Sequence, residues 1–176
     1  MSRSPAFPES PAYQHGRDDT PIGIVLSAPG RAEEKAGRPA AGQTGRTLDA
    51  TLAELNRLAG GTFPFTTRLD CRVVNASPDI HYPARTGSSE ASDADILRPD
   101  NLARLARALD GLQTVLALGR KAELAVRACG FSGRVLTAFH PSMQAINRKY
   151  QVTGETPGER SAARVALYAR DILAGK

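Results

Sequence analysis

Between Pro21 and Leu173 the apolar positions fall into two alternating kinds of cluster. Short continuous runs occur at Ile22-Gly23-Ile24-Val25-Leu26, Arg72-Val73-Val74-Asn75, Val115-Leu116-Ala117-Leu118 and Val135-Leu136-Thr137-Ala138-Phe139. Runs this short, ended by turn-forming or polar residues, read as strands buried on both faces. Between them leucines recur at helical spacing. Leu48, Leu52, Leu55 and Leu58 lie in a segment from Thr44 to Ala59 that stops at Gly60-Gly61, and Leu102, Leu105, Leu109 and Leu112 mark a second such segment. Further helices are predicted from Arg120 to Cys129 and from Ser161 to Leu173. The repeated β-α alternation predicts an α/β fold, a three-layer α/β/α sandwich with a four-stranded parallel sheet. Crossovers in such a sheet are right-handed, and its site lies at the carboxyl ends of the strands.

Two stretches lack periodicity. Residues 1–20 carry Pro5, Pro8, Pro11 and Gly16 and read as a flexible N-terminal arm ahead of one domain spanning 21–176. The polar stretch from Ser77 to Pro99 reads as one long loop, and loops of that length are usually functional.

Charge narrows the class of partner. The chain of 176 residues has a formal net charge of +5, and its lysines are only Lys35, Lys121, Lys149 and Lys176, so arginine carries the basic excess. Guanidinium forks suit phosphate and stacked bases, which makes nucleic acid the first partner to consider. No apolar run approaches the roughly 18 residues needed to cross a bilayer, and the N-terminus lacks the apolar stretch of a signal peptide. A cytoplasmic protein without membrane association is expected. Cys71 and Cys129 stand singly, so neither a disulfide framework nor a zinc or iron–sulfur site is expected.

The strand ends carry the polar chemistry. They read Ser27-Ala28-Pro29-Gly30, Asn75-Ala76-Ser77-Pro78-Asp79, Gly119-Arg120-Lys121 and His140-Pro141-Ser142. An Asn closing a strand also makes an Asx turn, and a lone His is often a surface group; four such ends in register favour a site. Ala28-Pro29-Gly30 with Glu33-Glu34, followed by Gly37-Arg38-Pro39, Gly42 and Gly45, resembles the first motif of the uracil-DNA glycosylase superfamily, especially its thermostable-type branch. Asn75 and His140-Pro141-Ser142 stand where that superfamily places its other two motifs, and the resemblance spans roughly Ile22 to Leu173. There are three departures. The branch holds an iron–sulfur cluster through four cysteines, which two cysteines cannot do. It has an acidic residue where this chain has Ser27, and an aromatic residue where this chain has Pro39-Ala40-Ala41.

The resemblance implies a DNA glycosylase; with two single cysteines no cofactor is expected, and a monomer is expected. Asn75 would read the edge of a flipped base, and His140 would donate to the base as negative charge develops, with loop N–H groups near Gly30 assisting. With Ser27 in place of the acid, Glu33 and Asp79 are the candidates for orienting water, although Glu33-Glu34 also reads as a solvated turn. The surrounding base and DNA contacts would be Ser27, Ala28, Pro29, Gly30, Ala40, Ser77 and Ser142. Met143 or Gln144 would fill the hole left by the base, and Arg148 and Lys149 would meet flanking phosphates. Met143 capping the core is the alternative. No lysine is clearly placed as a Schiff-base nucleophile, Lys35 and Lys121 being the alternatives, so a monofunctional hydrolase is preferred. Ala40 and Ala41 suggest room for a base with a large substituent, such as the glucosylated cytosine of phage DNA, with His81, Tyr82, Arg85 and Thr86 bonding the substituent. A nucleotide- or phosphosugar-binding α/β protein and an inactive DNA-binding relative are the competing readings.

Overall fold

A computed structural model describes residues 7–175, which form five strands and eight α-helices. In chain order these are β1 (Tyr13–Gln14), β2 (Ile22–Leu26), α1 (Arg31–Ala36), α2 (Gly42–Ala59), β3 (Arg72–Asn75), α3 (Pro83–Thr86), α4 (Asp93–Ile96), α5 (Pro99–Ala108), β4 (Thr114–Leu118), α6 (Arg120–Ala128), β5 (Arg134–Ala138), α7 (Met143–Lys149) and α8 (Pro157–Ala174). A short 3-10 turn, Arg68–Asp70, precedes β3. The sheet order is β1-β3-β2-β4-β5.

Four strands are parallel, but the sheet is mixed rather than purely parallel. Tyr13 and Gln14 pair antiparallel with Val74 and Val73, which adds β1 outside β3. Part of the stretch read as an arm is therefore sheet; residues 1–6 lie outside the described residues. Two residues are too few to show an alternating pattern, and the surrounding prolines masked them. The stretch from Ser77 to Pro99 likewise contains α3 and α4, each only four residues long.

Period-two alternation divides the core between the two faces of the sheet. Ile22, Ile24, Leu26, Val73, Leu116 and Leu118 face Leu48, Leu52 and Leu55 of α2 and Tyr168 and Ile172 of α8. Val25, Val74, Val115 and Ala117 face Leu105 of α5 and Ala122, Ala125 and Val126 of α6. Each fully buried leucine contributes about 1.5–3 kcal/mol over its exposed state, so these two apolar layers dominate the fold. Among the described residues no helix is long and apolar enough to cross a membrane, and no group of three or more His, Cys, Asp or Glu side chains could hold a metal ion. Both thiols are free; burial pushes that of Cys71 up to about 12, which keeps it protonated.

The strand order places the site. β2 is followed by β3 on one side, and the chain then crosses to put β4 on the other side of β2. The strand order reverses between β2 and β4, and in sheets of this kind ligands bind outside the carboxyl ends of the strands near such a reversal.

Candidate active site

A cleft of about 290 Å³ lies at the carboxyl ends of the strands. Leu26 at the end of β2, Ser27, Ala28 and Gly30 after it, Asn75 at the end of β3 and His140 after β5 all line it. Glu33, Ala40 and Thr44 complete one wall, and His81, Tyr82, Ser89 and Glu90 form the other.

The β2 turn is fixed by backbone pairing that continues past the strands. Ala76 N–H donates to the Leu26 carbonyl (2.8 Å), Ser77 N–H to that of Ser27 (3.0 Å) and His81 N–H to that of Pro29 (2.9 Å). Glu33 opens the short helix α1 and holds the turn from the other side. Its Oε2 accepts from Gly30 N–H (2.9 Å) and its Oε1 from Ala41 N–H (3.2 Å), so one carboxylate joins the β2 turn to the segment before α2. Arg68 Nε donates to the Ala40 carbonyl (3.0 Å) while the guanidinium pairs with Asp49. Gly45 is required here: a Cβ would lie 2.0 Å from the Ala40 oxygen and 2.7 Å from the Arg68 guanidinium. Ala40 itself is held at φ +51°, a left-handed conformation uncommon for a residue with a side chain.

Asn75 is 2% exposed, and its surroundings are built for it. Its Nδ2 donates to the Pro11 carbonyl (3.3 Å), and its backbone N–H donates to that of Ala12 (3.0 Å). Its own carbonyl accepts from Arg104 (2.7 Å), a half-buried guanidinium that also donates to the Ala76 carbonyl (3.2 Å) and to Asn101 Oδ1 (3.0 Å). Burial pulls the Arg104 pKa down to about 10, which leaves it charged at neutral pH and its bonds charge-assisted. Among the described residues Asn75 Oδ1 has no hydrogen-bond donor, and no described side-chain polar atom is sealed away unpaired. The amide oxygen therefore remains available to the cleft.

His140 is half-buried beside Gly119, whose φ of +107° brings the two backbones close. Desolvation lowers the His140 pKa, while the negative charges of Glu90 and Glu33 oppose the shift. Desolvation is the larger effect, so the ring is neutral at pH 7 and keeps one N–H to donate.

The other residues singled out in the sequence lie in several places. Pro29 is buried in the turn, and Ala41, though buried, does not line the cleft. Ser77 and Asp79 line a separate cleft of about 90 Å³ beside Asp95 and Arg104. The Ser77 backbone points to Ser27 while the chain beyond it turns away, which carries Asp79 off the main cleft. Ser142 caps α7, its Oγ accepting from Ala145 N–H (3.2 Å). Met143 is half-buried with its Sδ accepting from Thr47 Oγ1 (3.6 Å), whereas Gln144 and Arg148 are exposed. Lys149 pairs with Asp171 (3.2 Å) and lies 4.9 Å above the Phe139 ring. In the 77–99 stretch, His81 and Tyr82 reach the cleft, but Arg85 bonds Glu34 (2.5 Å) and Thr86 bonds the His81 ring (3.2 Å).

Three cleft residues were not apparent from the sequence: Thr44, Ser89 and Glu90. Glu90 matters most, because its Oε1 accepts from Ser27 Oγ (3.4 Å). An acidic side chain in a loop without periodicity carries no signal of its own; only the pairing of the two loops brings it to Ser27.

The sequence matches the family model of the Uracil DNA glycosylase superfamily over residues 13–157. The chain belongs to the uracil DNA glycosylase superfamily. Members of this superfamily are DNA glycosylases, hydrolases that act on DNA in base excision. The matched span includes every residue of the superfamily cleft described above. None of the curated proteins compared with this superfamily member matches it.

Proposed function

We propose that the protein flips a base out of DNA and hydrolyses its N-glycosidic bond, leaving an abasic site, on uracil-like bases or on bulky modified bases such as glucosylated hydroxymethylcytosine. The observation that carries the reading is the meeting of Asn75, His140 and the Ala28-Pro29-Gly30 turn in one cleft. A flipped base brings a hydrogen-bonding edge, and the Asn75 amide, held by Pro11 on a backbone held by Ala12 and Arg104, is pre-oriented to read it. As the glycosidic bond breaks, negative charge gathers on the base. The neutral His140 ring donates a hydrogen bond to that charge in a site from which water is partly excluded.

The substrate class follows from the walls. Where the superfamily pattern has an aromatic ring, Ala40 presents a methyl group and is 1% exposed. The opposite wall offers His81, Tyr82 and Ser89, all able to bond hydroxyl groups. A methyl on one side and polar groups on the other suit a base with a polar substituent. Lys121, the lysine nearest the strand ends, is 8% exposed and paired with Asp93 (2.6 Å), which supports hydrolysis by water over a Schiff base.

The test is incubation with oligonucleotides bearing uracil, hypoxanthine, hydroxymethylcytosine or its glucosylated form, followed by alkaline cleavage of abasic sites. Strand breaks at one or more of these bases are expected, with the glucosylated base preferred. Intact strands with every base would overturn the glycosylase reading; cleavage confined to uracil would overturn the bulky-base part alone.

A further inference from the structure

We propose that Glu90 is the catalytic carboxylate that orients and deprotonates the attacking water, occupying from the 77–99 stretch the role vacated at Ser27. The proposal rests on the glycosylase reading above and names the group that reading leaves open. Ser27 Oγ donates to Glu90 Oε1 (3.4 Å), so the residue standing in the acid's position holds an acid from another loop. Among the described residues Glu90 Oε2 accepts no hydrogen bond, and the side chain lines the same cleft as Asn75 and His140. Its charge reaches His140, where it opposes the effect of burial.

The backbone behind Glu90 is anchored. Glu90 N–H donates to Ser88 Oγ (3.2 Å), and the next residue, Ala91, is 3% exposed in the core. The neighbouring carboxylates are committed elsewhere. Both oxygens of Glu33 accept backbone N–H groups, Glu34 accepts from Tyr82 (2.9 Å) and Arg85 (2.5 Å), and Asp79 lines the other cleft.

In the reaction the water oxygen bonds to C1′ as the C1′–N bond breaks. The bonding pair leaves with the base as an anion held by His140, and the water proton passes to Glu90. That proton then goes to the base or to solvent, which restores the carboxylate and gives one free base and one hydroxylated C1′. No oxidant, reductant or further reactant is needed.

The experiment compares single-turnover abasic-site formation by the wild type, Glu90→Gln, Glu90→Asp and the double variant Ser27→Asp/Glu90→Gln on the four oligonucleotides named above. Because the Glu90 side chain is exposed, Glu90→Gln and Glu90→Asp should melt as the wild type does, and the double variant is compared at a temperature where its own melt shows it folded. Glu90→Gln is expected to slow the chemical step by about 10²–10⁴, the range for losing a general base, with DNA affinity unchanged. Glu90→Asp should retain part of the rate, and returning the acid to position 27 should restore part of what Glu90→Gln loses. A Glu90→Gln rate equal to the wild type's overturns the proposal while leaving the glycosylase reading intact. A wild type inactive on every base rejects both. An independent arm follows the His140 ring by NMR: removing the Glu90 charge should lower its titration midpoint, and an unmoved midpoint would show that Glu90 does not face the site.

Discussion

On the cleft wall built from residues 27–45, the backbone at Gly30, Ala40 and Ala41 is tied down by side chains, one from the wall itself and one from outside it. Glu33 takes the N–H groups of Gly30 and Ala41, Arg68 takes the Ala40 carbonyl, and Gly45 leaves the space that the Ala40 carbonyl occupies. On the facing wall, residues 81–90 rest on exposed or half-exposed side chains: Arg85 and Tyr82 on Glu34, and His81 on Thr86. Further along, Asp93 is clasped by Arg120 and Lys121, which hold its carboxyl down at about 2. Hydrogen bonds between a charged group and backbone, partly shielded from water, are worth about 1.5–3 kcal/mol, whereas exposed ion pairs are worth at most about 1 kcal/mol. One wall is therefore a fixed mould and the other an adjustable one. Shape discrimination belongs to the first, and adaptation to a substituent belongs to the second.

The largest effect is expected at the floor between the walls. His140→Ala should lower the single-turnover rate by about 10²–10³, the usual loss for one donor to a developing anion, with little change in DNA affinity. A variant with normal chemistry and weakened binding would make His140 a contact for DNA alone.

The fixed wall is probed at Ala40. Ala40→Phe must place a ring at a left-handed backbone position that is 1% exposed, so a stability loss of about 1–3 kcal/mol is expected from overpacking, with additional strain. In variant that remains folded, the ratio of kcat/KM for glucosylated cytosine over uracil should fall. Ala40→Gly, which relieves the φ of +51°, should melt near the wild type and keep the preference. If Ala40→Phe leaves the ratio unchanged, the mould does not set substrate size.

A pH series separates the floor from both walls. Since burial lowers the His140 pKa, the folded protein binds fewer protons there than the unfolded chain does. This group's contribution to stability is full above the unfolded value of about 6.5 and is lost as pH falls through the lowered folded value. Denaturant melts at pH 7 and pH 5 should show a loss that His140→Asn reduces; an equal loss in both proteins would assign it to other groups.

The adjustable wall should give the smallest effect. Arg85→Ala removes a half-exposed partner of Glu34 and should cost at most about 1 kcal/mol of stability. Its signature should be a raised KM for the glucosylated substrate with kcat retained for uracil, measured by steady-state kinetics. An equal change for both substrates would argue that the two walls act as one.

How much of this was legible beforehand differs between the same two walls. The runs that became β2 to β5 and the leucines of α2 were visible because burial on a sheet face or helix stripe imposes a period on the sequence. The β2 turn, Asn75 and His140 were visible because each follows such a run directly. Asp79 also follows one, yet the hydrogen bonds of Ser77 turn the chain and carry it to another cleft. Glu90 was hidden for the opposite reason, since its place depends on contact with Ser27, 63 residues earlier, and on no local pattern. The short helices α1, α3, α4 and α7 were missed because fewer than two turns cannot display an amphipathic repeat.

β1 has a role beyond its two residues. Strand edges expose rows of unpaired N–H and C=O groups that invite another chain to dock, and β3 would present such an edge without Tyr13 and Gln14. The same segment supplies the Pro11 and Ala12 carbonyls that hold Asn75. Deleting the first fourteen residues would thus bare a sticky sheet margin and slacken the base-reading amide at once, so that self-association and loss of selectivity would arrive together.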